Sequence, residues 1–357
     1  MMSEYCNSMN NCTKVTIGIT TYNLESYIAQ ALDSILMQNT SFKYEILITD
    51  DASTDKTVYI LKEYKAKYPE KINIILSNKN KGSLSNSNIL FSNIKTQYFS
   101  FLDGDDYWID EYRLQKQVDF LDKHNEYSMC GGNIYYVKDN VYSGYRIDKK
   151  YLGKSYTYDD YLNDRCPFVH TSSILMRNIV FKYGIPQYFK DAENTIFDCA
   201  FRGESLRFLL HLQKGKIYLF DNFFSCYRIH KNGIWQSKTE LHKNIEHALT
   251  FIKYSQLFED NKNFFHKKFY YCYIRIFQQL FMENRIYREY NMLDVEHNSF
   301  ITLLEIINNN KNYFHEIFCL YQKNIKFHKK ILLALFDFFL RIIKKYKILF
   351  FVLYMMR

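Results

Sequence analysis

The sequence predicts an α/β protein with a mixed, mainly parallel sheet flanked by helices, followed by a helical extension. Over the first hundred residues, short β-branched runs alternate with segments of helical period. Repeated strand–helix units connect through right-handed crossovers, which make neighbouring strands parallel. From residue 240 onward the pattern is helical and shows no internal repeat. A chain of 357 residues is long enough for one large α/β domain with an appendage.

Strands and helices alternate regularly in the N-terminal part. Val15 to Thr21 is a β-branched run typical of a buried strand, and the apolar positions 28, 32, 35 and 36 indicate a helix over Ser26 to Met37. Ser53-Thr54-Asp55 can cap the next helix. The remaining predicted elements are strands at 44–49, 72–76 and 98–102 and helices at 55–66 and 83–93.

The pattern becomes mixed after residue 128. Strand-like stretches occupy 129–137 and 171–176, and residues 197–213 have the period of a helix. A further short strand is predicted at 216–220. We expect this part of the chain to complete the sheet.

Composition narrows the class of protein. The eight cysteines are scattered without a CxxC pair, which excludes a disulfide framework and a cysteine zinc site and favours reduced thiols in a cytoplasmic protein. The first 13 residues are polar, so no secretory signal peptide is expected. The formal charge is +9, and lysines dominate beyond residue 230, which indicates an anionic surface near the C-terminal third.

Polar clusters follow three of the predicted strands. They are Thr21-Tyr22-Asn23, Asp50-Asp51 and the run from Asp103 to Asp106. Ligands of open α/β sheets bind beyond the carboxyl ends of the strands. The three clusters are therefore expected to line one crevice.

The run Asp103-Gly104-Asp105-Asp106 places three carboxylates within four residues. Clustered carboxylates repel one another, and oxygen ligands favour a hard cation such as Mg²⁺ or Mn²⁺ that can bridge a diphosphate. The alternative is a solvated acidic turn. An EF-hand loop is excluded because Trp108 stands where that loop needs glycine.

The pair Asp50-Asp51 offers carboxylate acceptors at the end of the second strand. A carboxylate there can accept the imide N–H of a uracil ring. The alternative is a turn that caps the following helix.

Four ordered motifs together resemble the family 2 glycosyltransferases of the GT-A fold. They are Thr20-Thr21-Tyr22-Asn23, Ser34-Ile35-Leu36-Met37-Gln38, Asp50-Asp51-Ala52-Ser53-Thr54-Asp55-Lys56-Thr57 and Phe101-Leu102-Asp103-Gly104-Asp105-Asp106. The resemblance covers about residues 14–237. It implies a nucleotide-diphospho-sugar donor, a divalent metal (Mn²⁺ or Mg²⁺) and inversion at the anomeric carbon.

The resemblance also assigns roles in the first half of the chain. Asp51 is expected to hold the base, Asp103 the ribose and Asp105 the metal on the diphosphate. The other residues expected at the nucleoside site are Thr21, Tyr22, Asn23 and Glu25. One departure is Ser87, which occupies a place where relatives often have arginine.

The second half carries a weaker resemblance. Gly203-Glu204 and the leucines after it resemble the segment that bears the catalytic base, so Glu204 is expected to take a proton. In the stretch from Tyr227 to Trp235, Arg228 is expected to contact the diphosphate, His230 the metal, and Trp235 the acceptor side. The alternatives are a solvated helix residue for Glu204, a structural ion pair for Arg228 and packing for Trp235.

These assignments divide the chain into three parts. Residues 1–13 are expected to be disordered or extended. Residues 14–237 are expected to form the GT-A catalytic domain, with a nucleotide-binding half at 14–106 and an acceptor half at 107–237. Residues 238–357 are expected to form a basic helical extension.

The function that follows is transfer of a sugar, with a UDP-sugar as the favoured donor, to a hydroxyl of a glycan or lipid-linked glycan. The resemblance suggests bacterial surface polysaccharide, capsule or lipopolysaccharide synthesis. Two alternatives remain: an inactive sugar-nucleotide-binding module, and a metal-dependent nucleotidyltransferase. The second would show a glycine- and lysine-rich triphosphate loop near the first strand, which Thr20 to Asn23 is not. No nucleic-acid motif is present, so no nucleic-acid partner is expected.

The last predicted helix combines an apolar stripe with many bases. Positions 331, 335, 338, 342 and 346 share one helical face, and lysines and an arginine interrupt the run. No uncharged span of 18 residues exists there, so a transmembrane helix is not expected. Residues 329–357 are instead expected either to lie on an anionic membrane or to pack on a protein surface. The expected location is the cytoplasm, with peripheral attachment to the inner face of the membrane.

Overall fold

The structure is a computed structural model that describes residues 12–231 and 233–282. The chain divides into two compact units, with the boundary between Ser237 and Lys238. The first unit holds the sheet and the carboxylate run. The second unit, as far as it is described, is helical.

The first part of the sheet is built by strand–helix alternation. Its strands β1 to β4 are Val15–Thr21, Tyr44–Asp50, Ile72–Leu76 and Tyr98–Phe101, and its helices α1 to α3 are Ile28–Leu36, Thr57–Lys67 and Ser83–Asn93. The strands lie in the order β3-β2-β1-β4, and each neighbouring pair is parallel. The predicted parallel α/β half is therefore confirmed. The prediction of a helix cap was less accurate, because the α2 N-cap is Lys56 and makes no side-chain capping bond.

The second part of the sheet is mixed. Its strands β5 to β10 are Tyr107–Trp108, Tyr127–Lys138, Val141–Tyr145, Lys154–Tyr156, Leu175–Arg177 and Lys216–Ile229, and its helices α4 to α8 are Arg113–Lys123, Tyr158–Leu162, Gln187–Asp191, Cys199–Arg202 and Glu204–Leu212. The sheet continues in the order β4-β9-β6-β10-β5, with β7 beside β6 and β8 beside β10. The β9 strand is antiparallel to both neighbours, whereas β6 and β10 form a long parallel ladder. The predicted mixed sheet is confirmed.

Three predicted elements differ from the observed ones. The helix predicted at 197–213 is split, because Gly203 has an extended backbone and caps a new helix that begins at Glu204. The strand predicted at 216–220 runs on to Ile229, since pairing with β6 continues past local register shifts. The stretch predicted at 171–176 begins as a 3₁₀ turn over Thr171–Ser173.

The core fixes the ends of the central strands. Val15, Ile17 and Ile19 of β1 are fully buried, and so are Ile46 and Ile48 of β2. One face of α1 packs on this layer through Ile28, Ala31, Leu32 and Ile35, a helical spacing. Close packing on both sides of the strands holds the loops that follow them in place.

The second unit contains two α-helices within the described residues, joined by a 3₁₀ turn over Glu259–Asn261. The α9 helix, Glu240–Leu257, is capped by the Thr239 hydroxyl, and α10 is Lys262–Met282. No helix in the part of the chain that the structure describes is long and apolar enough to cross a membrane. The predicted segment 329–357 and most of the predicted N-terminal segment 1–13 lie outside the described residues.

Candidate active site

The carboxylate run follows β4 and packs against the loop that follows β1. Leu102 N donates to Gly18 O, which extends the parallel pairing up to the run. Gly104 faces Leu24, and a Cβ at that position would lie 2.8 Å from Leu24 Cδ1. The Asp106 amide donates to Asp103 O at 3.0 Å and closes a tight turn. Glycine is needed here because the turn approaches its neighbour so closely.

The turn brings Asp103 and Asp106 together with His170. One ligand atom from each side chain lies within 4.8 Å of the other two. Asp106 is 1% exposed, and its Oδ2 is buried without a hydrogen-bond partner among the described residues. His170 Nδ1 lies 2.7 Å from Ser172 Oγ, a contact of the kind that orients a metal-ligating histidine.

Burial and like charge make this cluster unfavourable without a cation. The pKa of Asp103 is raised to about 7 by burial, then by the neighbouring charges of Asp105 and Glu204. The pKa of Asp106 is raised well above its ordinary value by burial, then by Asp105 and Asp103. Burial lowers the pKa of His170 to about 3, so its imidazole is neutral and able to act as a ligand. Two carboxylates, one of which has an unpartnered oxygen, and an imidazole fit a divalent ion, and the imidazole suits Mn²⁺ better than Mg²⁺.

The residues predicted to bind metal, Asp105 and His230, lie together and contact each other. His230 Nε2 is 2.9 Å from Asp105 Oδ2. The Tyr27 ring stands beside the imidazole, with centroids 4.7 Å apart. His230 Nδ1 is buried without a partner within the described chain. Metal binding by this pair stays a prediction.

Arg228, predicted at the diphosphate, is held by the carboxylate turn. Its backbone N–H donates to Asp106 Oδ1 at 3.0 Å, and its Nε donates to Asp105 O at 2.8 Å. Its Nη2 donates to Gln30 Oε1 at 2.6 Å, and its guanidinium lies 4.9 Å from the Tyr27 ring. These bonds give Arg228 a structural role, and contact with a diphosphate stays a prediction.

Residues predicted at the nucleoside site tie together the loops after β1 and β2. Thr21 Oγ1 donates to Asp50 Oδ2 at 2.8 Å, and Asn23 Oδ1 accepts from Thr54 N at 2.8 Å. Asn23 has a positive φ of 54°, a conformation that asparagine tolerates. Adjacent parallel strands thus place these clusters side by side.

Two further predicted nucleoside residues flank the same loops. Glu25 Oε2 accepts from Lys56 N at 2.8 Å, so this carboxylate is used in joining the loops. Tyr22 is 45% exposed and offers an open ring for contact with a ligand. Of the predicted nucleoside residues at the end of β1, Tyr22 is the most available.

The Asp51 carboxylate accepts hydrogen bonds from the backbone of the loop that leads into α3. Its Oδ1 accepts from Lys81 N and its Oδ2 from Gly82 N, both at 2.8 Å. Its side chain is buried. Each carboxylate oxygen can accept a second hydrogen bond, so a base N–H remains chemically compatible. The base contact stays a prediction.

Glu204 is the first residue of α8. Its charge acts on Asp103, whose pKa it helps to raise, so the two carboxylates lie near each other. Arg207 follows one turn later and opposes that effect, and its guanidinium lies 4.8 Å from the Phe91 ring. Trp235, predicted on the acceptor side, is 41% exposed in the turn before the unit boundary.

His170 and Arg207 were not predicted as site residues from the sequence, and Asp106 had no predicted role. His170 lies in an irregular segment between α5 and β9, far in sequence from the other motifs. Arg207 is spaced one helical turn after Glu204, a signal that could have linked the two. Asp106 was within the recognised run, but only the turn geometry distinguishes it from Asp105.

Residues 16–184 match the family model described as "Glycosyl transferase family 2". An uncharacterized protein of Mycobacterium tuberculosis is 33% identical over 222 residues, which are 60% of this chain and 59% of that protein. The Staphylococcus aureus poly(ribitol-phosphate) β-N-acetylglucosaminyltransferase TarS is 24% identical over 188 residues, 52% of this chain and 31% of TarS. The chain thus spans less than two thirds of the length of these relatives.

Among solved structures, residues 1–349 of S. aureus TarS in complex with UDP-GlcNAc resemble this chain with a TM-score of 0.53. Their sequence identity is 18%, and the match covers 81% of this chain and 79% of the TarS structure. At this identity the likeness concerns the fold, and the predicted GT-A architecture is confirmed. Residues 16–184 therefore form a domain of the glycosyl transferase family 2 type.

Proposed function

We propose that the protein transfers a sugar from a nucleotide-diphospho-sugar, with a UDP-sugar favoured, to an acceptor hydroxyl with inversion. The observation that carries this proposal is the cluster of Asp103, Asp106 and His170, in which the charge of Glu204 helps to raise the pKa of Asp103. Such a site combines a carboxylate that can accept a proton with a cation site that can offset the negative charge of a phosphate. The match of residues 16–184 to the family 2 model supports the same reaction class.

A UDP-sugar is favoured as donor for two reasons. The fold matches TarS, which has been solved with UDP and with UDP-GlcNAc. In this chain, Asp51 keeps lone pairs for a base N–H, and Tyr22 is open for ring contact. The nucleoside is proposed to lie over the ends of β1 and β2.

The reaction that fits the site is a single displacement. Glu204 takes the proton from the acceptor hydroxyl while the oxygen of that hydroxyl forms a bond to the anomeric carbon. The bond from that carbon to the diphosphate oxygen breaks, and the electron pair leaves with the nucleoside diphosphate. Attack from the face opposite the leaving group inverts the configuration.

Asp103, Asp106 and His170 are proposed to hold a divalent ion, with Asp105 and His230 beside them. The bound ion would offset negative charge on the diphosphate. Arg228 keeps the Asp105-Asp106 turn in place through its bonds to both residues. A correctly held turn is a condition for binding the donor.

The acceptor is proposed to be a glycan or lipid-linked glycan of the bacterial cell surface. This rests on relatives, because TarS is named a poly(ribitol-phosphate) β-N-acetylglucosaminyltransferase and TuaG of Bacillus subtilis a putative teichuronic acid biosynthesis glycosyltransferase. We further propose that the protein works at the cytoplasmic face of the membrane, where the basic segment 329–357 can meet anionic lipids.

A donor panel tests the proposal. The full chain with Mn²⁺ is incubated with UDP-, GDP- and dTDP-sugars, with and without glycan acceptors, and released nucleoside diphosphate is measured. We expect release from a UDP-sugar, faster with acceptor present and lost when a chelator removes the metal. If a donor binds but no donor yields free nucleoside diphosphate, the protein is an inactive sugar-nucleotide-binding module and not a transferase. Pyrophosphate release from UTP and a sugar 1-phosphate, in a parallel reaction, would favour a nucleotidyltransferase.

A further inference from the structure

The rings of His170, Tyr227 and Tyr136 form an aromatic row that begins at the carboxylate cluster and lies on the side of it away from β1. The His170 ring lies 4.8 Å from Tyr227, and the Tyr227 ring lies 6.0 Å from Tyr136. Tyr227 and Tyr136 are direct neighbours across the β6–β10 ladder, so their side chains share one face of the sheet. The row therefore begins at a candidate metal ligand and continues along the sheet.

Arg146 stands at the far end of this row. Its backbone N–H donates to Ile134 O at 3.1 Å, which continues the pairing of β7 with β6. Its Nη1 donates to the Tyr136 hydroxyl at 2.8 Å, and its guanidinium lies 4.3 Å from the Phe168 ring. The guanidinium is thus held between a hydroxyl and an aromatic face while the residue stays exposed.

Among the described residues, the charge of Arg146 is not matched by a carboxylate. No acidic side chain in those ranges lies at ion-pair distance from Arg146, whereas Arg165 pairs with Asp160 at 2.8 Å. A guanidinium has five N–H donors, of which one is used by Tyr136. An oriented arginine with free donors binds carboxylate or phosphate through paired hydrogen bonds.

The sheet order separates this arginine from the proposed nucleoside site. The strands run β2-β1-β4-β9-β6, and β7 pairs with β6, so the carboxylate turn after β4 lies between Asp51 and Arg146. Phe168 is 43% exposed and presents an apolar face of the kind that packs against a sugar ring. A ligand on this side would reach the cluster at His170, on the side away from the proposed nucleoside site.

We propose that Arg146, placed by Tyr136 and Phe168, is a specificity residue that binds an anionic group on the acceptor. The anion is a carboxylate or a phosphate attached to a sugar or polyol, and the adjacent ring packs on Phe168. This inference rests on the proposed function, since it identifies the class of acceptor for the same site.

The test compares charged and neutral probes. Binding of methyl glucuronoside, glucose 6-phosphate and methyl glucoside to the full chain is measured by ligand-observed NMR in the absence of donor. We expect at least one charged probe to bind about tenfold more tightly than methyl glucoside, and the preferred probe identifies the anion. In Arg146→Gln the preference should disappear, while affinity for methyl glucoside stays unchanged.

Two variants serve as comparisons. Arg146→Lys keeps the charge without the planar fork and should retain only part of the preference. Arg165→Gln removes another exposed guanidinium and should leave the preference intact, and UDP binding should be equal in all four proteins. Equal binding of charged and neutral probes by the wild type, or a full preference in Arg146→Gln, would overturn the proposal. Because no donor is present, this result is independent of the donor panel.

Discussion

Replacing Glu204 with glutamine is expected to lower the rate of sugar transfer by about 10²–10⁴-fold, the usual contribution of a general base. Glutamine has nearly the same shape but cannot accept the proton from the attacking hydroxyl. Glu204 begins α8, and its charge helps to raise the pKa of Asp103. The variant should therefore fold and bind UDP as the wild type does, and only the chemical step should slow.

The measurement is turnover of the donor that the panel selects, together with UDP affinity and the thermal unfolding temperature. Glu126→Gln is the matched control, because Glu126 is half-exposed and lies before β6, at the end of that strand away from the site. Its turnover should equal that of the wild type. Near-normal turnover in Glu204→Gln would assign proton transfer to another group.

Replacing Asp106 with asparagine is expected to abolish the stabilisation of the protein by Mn²⁺ and to reduce transfer strongly. A ligand at one hundred times its Kd stabilises a folded protein by about 2.7 kcal/mol, so the wild type should unfold at a clearly higher temperature with Mn²⁺. Asparagine can still accept the Arg228 N–H, which keeps the turn closed. Burial and neighbouring carboxylates raise the pKa of the Asp106 carboxyl, which shows that its charged form is unfavourable there. Asparagine cannot carry this charge, so the metal-free variant should be at least as stable as the metal-free wild type.

The readout is the unfolding temperature with and without Mn²⁺, followed by donor turnover. Asp148→Asn is the control, since the Asp148 side chain is exposed and its Oδ2 lies 3.6 Å from Lys150 Nζ. That variant should show the full Mn²⁺ effect. If Asp106→Asn gained as much stability from Mn²⁺ as the control does, Asp106 would not be a metal ligand.

The parallel half of the fold could be predicted because its signals are local. The β1 and β2 strands are β-branched runs buried on both faces, and the period of α1 matches the face that packs on them. The strand ends and their polar clusters follow from this alternation. Adjacency of Thr21, Asp50 and the carboxylate run then follows from the geometry of parallel strands.

Other features depend on contacts that are distant in sequence. The length of β10 is set by its pairing with β6, about ninety positions earlier, and an apolar run alone does not reveal this. The break at Gly203 looks in the sequence like a tolerated glycine within a helix. The backbone partners of Asp51 lie in the loop before α3 and follow only from the folded structure.

The carboxylate run also shows what only the folded structure reveals. The family resemblance predicted Asp105 as the metal ligand, and that assignment stays a prediction. In the structure, the bond from Asp106 N to Asp103 O turns Asp103 and Asp106 toward His170, while Asp105 contacts His230. Turn geometry decides which carboxylate points inward, and residue spacing does not encode it.

The configuration of the first product tests the central claim most directly. UDP-GlcNAc, or another α-linked UDP-sugar that the panel selects, is turned over with Mn²⁺, and the newly formed anomeric centre is followed by proton NMR before it can equilibrate. Single displacement with Glu204 as base predicts a β-configured product. An α-configured first product would contradict it.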